Sequence, residues 1–353
     1  MRFYYSSSDA WLAICDACQH AEKSISLEEY ILRDDLIGRH LLDILMAKAR
    51  EGVRVRLLLD AFGSRRLSQQ AVLADLKASG VKLVFFRPLN LVQAWLPPLG
   101  LPRDHAKALH IDGTICFIGS MGFALHMSGW RDTLVLLEGD IVQQALADFD
   151  RVWCREAFNL GYPPKACTSP NDEKSSHFVA QIPEHKTNSI RDVLLAKIAT
   201  AKQTILIATP YFFPPQALRR ALLAARQRGV SITLMLASQT DVPNADRVTR
   251  ALIQQWRSFG FEVVFYQPEV LHAKYAIIDS SWVTFGSCNF DFLSLVYNRE
   301  VNVVIGNKAH VLEFVTQSKI DLDNCAPIPA TSRSENMWGT LMGKMGALVC
   351  QYI

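Results

Sequence analysis

Two short segments carry the residues with the most chemical potential. The first sets His105 and Lys107 one residue apart and continues through Asp112, Gly119 and Ser120; the second repeats the set as His272, Lys274, Asp279, Gly286 and Ser287. Each member lies 167 residues from its counterpart. In extended backbone, residues i and i+2 face the same side, so an HxK in a strand holds an imidazole beside an ammonium. Such a pair can bind one phosphate and attack it. A lone HxK says little, but five residue types repeated at one offset point to a phosphodiester site.

The carboxylates divide into two kinds. Asp112 precedes Gly113 and Asp279 precedes Ser280, and an Asp-Gly pair between strand-like runs suggests a hairpin turn. Asp112 and Asp279 are therefore expected to shape their loops and to take no part in the chemistry. An attacking imidazole must be neutral at its reactive nitrogen, and a carboxylate on the other nitrogen fixes tautomer and orientation. Asp132, 13 residues after Gly119, and Glu300, 14 after Gly286, are the candidates for that role.

The elements that must position these residues also occur twice. SISLEEYIL, a helical stretch Leu36 to Arg50, GVRVRLLLDA, LSQQAVLADLKASG, VKLVFFRP and HAKALHIDGTICFIGSMGF form one series. TILIATPYFF, PQALRRALLAARQR, GVSITLMLAS, NADRVTRALIQQWRSFG, FEVVFYQP and HAKYAIIDSSWVTFGSCNF form the other. Apolar β-branched runs alternating with amphipathic stretches predict α/β units whose strands are buried between helices. The boundaries read as a first repeat over 1–160, a linker over 161–189 that is rich in Pro, Ser and charge, a second repeat over 190–330 and a tail over 331–353.

The HxKxxxxD motif followed by GS, present twice, resembles the phospholipase D superfamily. GSCN, Asp291, Ser294 and NREVN in the second copy match it closely, and Asn289 completes its GSxN. VRLLLDAFGS (Val55 to Ser64), WRDT (Trp130 to Thr133) and TPYFFP (Thr209 to Pro214) are most similar to bacterial cardiolipin synthases.

The resemblance implies two repeats, each a mixed sheet flanked by helices, related by a pseudo-two-fold axis with the active site between them. It implies a covalent phosphohistidine, with His105 as nucleophile and His272 as general acid. Lys107 and Lys274 would offset phosphoryl charge, Ser120, Ser287 and Asn289 would bind the phosphate, and no metal or cofactor would be needed. The implied reaction is phosphatidyl transfer to an alcohol, with phosphatidylglycerol or a related phospholipid as substrate; hydrolysis of phospholipid or nucleic acid is the alternative. Two positions depart from the pattern: Gly122 stands where the family has Asn, and Ala106 where the synthases often carry a basic residue. A membrane-binding scaffold with a decayed site is the reading that Gly122 motivates.

Composition bounds the partners. Half the chain is hydrophobic, as in a globular protein, and 37 Lys and Arg against 34 Asp and Glu give a net charge of only +3. That is far from the basic excess that drives non-specific nucleic-acid binding, and no nucleic-acid partner is expected. Eight cysteines are too sparse for a disulfide scaffold, and Cys15 and Cys18 read as buried, reduced thiols of a helix and not as a metal site.

No signal peptide and no run of roughly 18 apolar residues stands out, so a peripheral place on the cytoplasmic side of a membrane surface is expected. The apolar insertion Leu89 to Asp104 could line an acyl groove or dip into the interface, and the tail could form an amphipathic stripe. His110, His126 and Tyr211 read as packing or pocket lining. Nothing in the residues fixes an oligomeric state.

Overall fold

The computed structural model describes residues 1–88, 102–158, 176–182 and 189–327. Residues 89–101 of the apolar insertion Leu89 to Asp104, most of the proposed linker and the whole 331–353 tail lie outside these residues.

The first half contains β1 (Arg2–Ser6), α1 (Ser7–Gln19), β2 (Ser24–Glu29), α2 (Leu36–Arg50), β3 (Arg54–Asp60), α3 (Val72–Ala78), β4 (Lys82–Phe86), β5 (Ala108–Ile111), β6 (Ile115–Gly119), β7 (Arg131–Glu138) and α4 (Asp140–Phe158). The second contains β8 (His177–Gln181), α5 (Ser189–Thr200), β9 (Thr204–Thr209), α6 (Gln216–Gln227), β10 (Ser231–Ala237), α7 (Pro243–Ser258), β11 (Glu262–Tyr266), β12 (Tyr275–Ile278), β13 (Trp282–Gly286), β14 (Glu300–Ile305), α8 (Lys308–Asp323) and the short β15 (Cys325–Ala326).

The sheets are mixed, and their orders correspond: β1-β7-β6-β5-β2-β3-β4 in one, β15-β11-β10-β9-β12-β13-β14-β8 in the other. In the first, β2, β3 and β4 run parallel, as the intervening α2 and α3 require, while β5, β6 and β7 add antiparallel strands through short connections. β9, β10 and β11 repeat the parallel part, and β12, β13 and β14 the antiparallel part.

Helix patterning explains the layers. α2 turns Leu41, Leu42, Ile44 and Leu45 to the sheet, and Asp35 caps it by accepting the N–H groups of Ile37 at 3.1 Å and Gly38 at 3.2 Å. One core lies between the first sheet and its helices, a second between the other sheet and α5, α6 and α7. A third core joins the halves: Phe3, Ile118 and Val135 of the first pack with Phe285, Val301 and Val303 of the second, and α4 and α8 add Val142 and Phe314. The halves are thus fused by buried apolar surface and not merely tethered.

One strand falls where composition suggested linker. His177–Gln181 forms β8, which pairs antiparallel with β14 through contacts such as Val301 with Ala180. It is the counterpart of β1, which pairs with β7 at the same edge of the other sheet. The second repeat therefore begins at β8, before the boundary at 190.

Candidate active site

The HxK segments run extended immediately upstream of β5 and β12, and not within a strand as the spacing alone suggested. The i, i+2 geometry holds, and each lysine folds back on its own histidine. Lys107 Nζ donates to the His105 carbonyl at 2.8 Å and Lys274 Nζ to the His272 carbonyl at 2.5 Å.

Each segment is stitched to the opposite half. The His105 N–H donates to the Arg299 carbonyl at 3.0 Å, and the His272 N–H donates to the Arg131 carbonyl at 2.8 Å. The residue after each arginine then supplies the carboxylate. His105 Nδ1 lies 3.1 Å from both oxygens of Glu300, and His272 Nδ1 lies 2.9 Å from Asp132 Oδ2. The pairing is crossed: each imidazole takes its acid from the other repeat.

A carboxylate at Nδ1 makes that nitrogen the donor and leaves Nε2 as the reactive atom. Both histidines line one cavity of about 480 Å³, together with Lys107, Asn289, Asp291 and Asn298, and its walls include Ile31, Phe62, Met127, Phe213 and Leu293. Tyr30 stands edge-on to His105 with ring centres 4.9 Å apart, and Trp130 lies 5.0 Å from His272. A phosphate held there would meet two imidazoles and a lysine against a largely apolar wall.

The electrostatics are set by burial. Desolvation, followed by Lys107, Lys274 and His272, holds the His105 imidazole well below its ordinary pKa. His272 is lowered by burial and Lys274, with Asp132 pulling the other way. Burial also lowers Lys107, and it brings Lys274 down to about 7. Glu300 is pushed up to about 7 by burial, against Lys107 and Ser287. Burial pushes Asp132 upward too, but His272, Lys274 and Ser120 outweigh it and hold the group below the usual carboxylate range.

The expected phosphate ligands separate on inspection. Ser120 and Ser287 are fully buried behind the carboxylates: Ser120 Oγ donates to Asp132, and Ser287 Oγ donates to Glu300 Oε2 at 2.5 Å. Neither lines the cavity, since each hydroxyl is engaged with the carboxylate behind it. Asn289 does line it, and its buried Oδ1 has no partner among the described residues.

At Gly122 a Cβ would stand 3.1 Å from both the Ile31 carbonyl and Met127 Sδ, so the neighbours leave little room for an Asn there. Asp112 and Asp279 sit at the two hairpin turns, with φ of +55° and +51°. Asp112 accepts the N–H groups of Glu22, Lys23 and Ser24, and Asp279 those of Lys202, Gln203 and Thr204, all at 2.7–3.0 Å.

Of the remaining sequence candidates, Tyr211 lines the cavity and its hydroxyl donates to Asp241. His110 is buried against Phe149, and His126 is exposed beside Trp130. Cys15 and Cys18 are buried free thiols of α1. Among the described residues no group of His, Cys, Asp or Glu is arranged to hold a metal ion, and no helix is long and apolar enough to cross a membrane.

Sequence reading passed over the residues that clamp this site from behind. Arg299 is fully buried and grips Glu28 at 2.6 and 3.0 Å and Asp148 at 2.8 Å. Arg131 grips Asp321 at 2.8 and 2.5 Å. Glu29, pushed up to about 8 by burial, lies beneath Lys107, and Arg103 pairs with Asp60 at 3.0 Å on the cavity wall. The signal for the two central arginines was the recurrence of Arg before an acid, in WRDT and NREVN.

A family described as "Cardiolipin synthase, PLD-like domain" matches residues 14–153 and 194–321. The chain belongs to that family. Among its relatives are the cardiolipin synthase of Halalkalibacterium halodurans, 30% identical over 92% of this chain and 66% of that protein, and "Probable cardiolipin synthase YwiE" of Bacillus subtilis, 34% identical over 82% and 59%. The chain thus spans roughly three fifths to two thirds of the length of the curated relatives it matches. A crystal structure of phosphatidylserine synthase from Haemophilus influenzae Rd KW20 shares the PLD-like fold, with a TM-score of 0.71 over 100% of this chain and 95% of that one at 13% identity.

Proposed function

We propose that the chain is a phosphatidyltransferase that works through a covalent phosphohistidine, with phosphatidylglycerol as both donor and acceptor, and so makes cardiolipin. The observation that carries this reading is the crossed pairing, which gives one cavity two imidazoles with separate carboxylates, bordered by apolar wall. The relatives named cardiolipin synthase supply the lipid.

His105 is the nucleophile and His272 the acid and base. With Nδ1–H donated to Glu300, neutral His105 attacks phosphorus through Nε2. The P–O bond to the departing glycerol breaks as His272 gives that oxygen its proton. His272 then removes a proton from the hydroxyl of a second phosphatidylglycerol, whose oxygen attacks phosphorus and frees His105. Lys107, Lys274 and the Asn289 amide offset the charge that builds on the phosphoryl oxygens. Asp132, ionised throughout, keeps His272 able to hold the proton it must pass on. The protein acts from the cytoplasmic face of the membrane as a peripheral enzyme.

The test is incubation of the purified chain with phosphatidylglycerol vesicles. Cardiolipin and free glycerol should form in equal amounts, and single-stranded DNA should remain uncut. Folded protein that yields no cardiolipin at any lipid concentration defeats the proposal.

A further inference from the structure

Three arginines lie close in the chain to first-half residues of the cavity wall, Arg33 two positions past Ile31 and Arg65 and Arg66 three and four past Phe62. Arg33 follows β2, and Arg65 and Arg66 follow β3; in the second half the residues the same number of positions past the matching strand residues are Phe213, Val242 and Pro243. Phe213 and Val242 are apolar members of the cavity wall. The fold itself therefore does not call for arginine at these places.

The two arginine-bearing loops are locked together. Ser64 Oγ donates to the Tyr30 carbonyl at 2.9 Å and accepts the Leu32 N–H at 3.0 Å, and Ser64 is fully buried. Arg65 lies over the Phe62 ring at 5.4 Å, and Phe62 lines the cavity. Arg33 Nη1 is 3.2 Å from His126 Nδ1. Burial, then Arg66, then Arg65 lower the Arg33 pKa, with only Asp35 opposing them.

The nearby acids are engaged elsewhere. Asp34 is paired with Arg39, Asp241 holds the Tyr211 hydroxyl, and Asp35 caps α2 and accepts the Leu125 N–H at 2.8 Å. Among the described residues none of the three arginines has a carboxylate ion pair. Like charges gathered without a counter-ion, on loops braced by a buried hydroxyl, match the planar, multidentate way that guanidinium groups take phosphate.

We propose that Arg33, Arg65 and Arg66 form a second phosphate subsite, which takes the phosphodiester of a phospholipid whose own phosphorus is not reacting. This rests on the transfer reading above: an acceptor phosphatidylglycerol must place its free hydroxyl at His272 while its charged phosphate sits a glycerol's length away. A rim of arginines outside the reacting centre supplies that place.

The experiment compares the intact chain with its Arg33→Gln, Arg65→Gln, Arg66→Gln triple variant in two arms. In the first, phosphatidylglycerol is the donor, and cardiolipin formation is measured alongside incorporation of labelled free glycerol, an acceptor without phosphate. The ratio of cardiolipin to labelled phosphatidylglycerol should fall at least tenfold in the triple variant; an unchanged ratio overturns the proposal.

In the second arm, both proteins carry His105→Ala to prevent turnover and are titrated calorimetrically with monomeric short-chain phosphatidylglycerol and with inorganic phosphate. Arginine-dependent binding of the lipid supports the subsite. Arginine-dependent binding of inorganic phosphate alone overturns the lipid assignment in favour of a free anion, and no arginine-dependent binding overturns the site altogether. If the unmutated chain transfers nothing, the transfer reading fails, yet this second arm still decides whether the arginines hold phosphate.

Discussion

The two halves each bring the histidine of an HxK to the same cavity and hold their imidazoles in different electrical surroundings. His105 leans on Glu300, a carboxyl that burial pushes up to about 7, and lies edge-on to Tyr30. His272 leans on Asp132, a carboxyl kept ionised by its neighbours, and lies against Trp130. The repeat dictates where the groups stand, while burial and the residues behind them decide how each carboxyl titrates. A near-symmetric sequence can thus give two imidazoles, both held below their ordinary pKa, that lean on carboxyls of opposite character.

The sharpest way to break this comparison is to remove each imidazole. His105→Ala should lower transfer at least about 10⁴-fold, because no covalent intermediate can form. His272→Ala should cost roughly 10²- to 10⁴-fold with natural lipid, yet should still accumulate phosphohistidine from a donor with a nitrophenol leaving group, which needs no proton. Mass spectrometry of the labelled peptide reads both, and label on His272 in the His105→Ala protein would reverse the assignment.

The carboxylates come next. Glu300 must be ionised to accept the His105 Nδ1–H, so the rate of the first step should rise with pH through about 7. Lys274 is a cation below about 7 and neutral above it, so its contribution fades as pH rises further. The pH profile should be a narrow bell with its apex near 7. Glu300→Gln should reduce the rate about 10³-fold and abolish the acidic limb, whereas Asp132→Asn should leave that limb in place. Single-turnover rates across pH distinguish them; equal effects of both variants on the limb would erase the asymmetry.

The smallest effects test the phosphate cradle. Asn289→Ala removes an amide that lines the cavity and should cost about 10²-fold in kcat/KM. Gly122→Asn introduces a side chain where the Ile31 carbonyl and Met127 Sδ stand 3.1 Å from its Cβ. It should destabilise the protein by about 1–3 kcal/mol, seen as a lower melting temperature, without raising activity. A gain in rate from Gly122→Asn would mean that the first half lacks only its amide.

Much of this was legible in the sequence because repetition multiplies weak signals. The α/β alternation and the four residues of the two HxK segments follow from runs of eight to nineteen residues that occur twice, and the family resemblance they carry implied the mixed sheets. β8 was not legible: it is five residues long at a sheet edge, its pairing with β14 is non-local, and a Pro- and Ser-rich stretch precedes it. The crossing of the carboxylates was equally hidden, since Asp132 and Glu300 sit at matching places in the repeat and only the contacts of the folded chain reveal which half each serves. The place of Ser120 and Ser287 was hidden too, because a hydroxyl beside a phosphate motif looks like a phosphate ligand, whereas here each donates to a carboxylate behind the cavity.

The exchange of carboxylates across the axis also ties the fates of the halves together. Neither repeat, expressed alone as a monomer, possesses one complete histidine and acid pair, so activity from a single half would demand that two copies embrace and restore the crossing. Once both halves share one polypeptide, each can diverge in what surrounds the reaction, arginine on one rim and phenylalanine on the other, but neither can lose its acid without disarming its sibling.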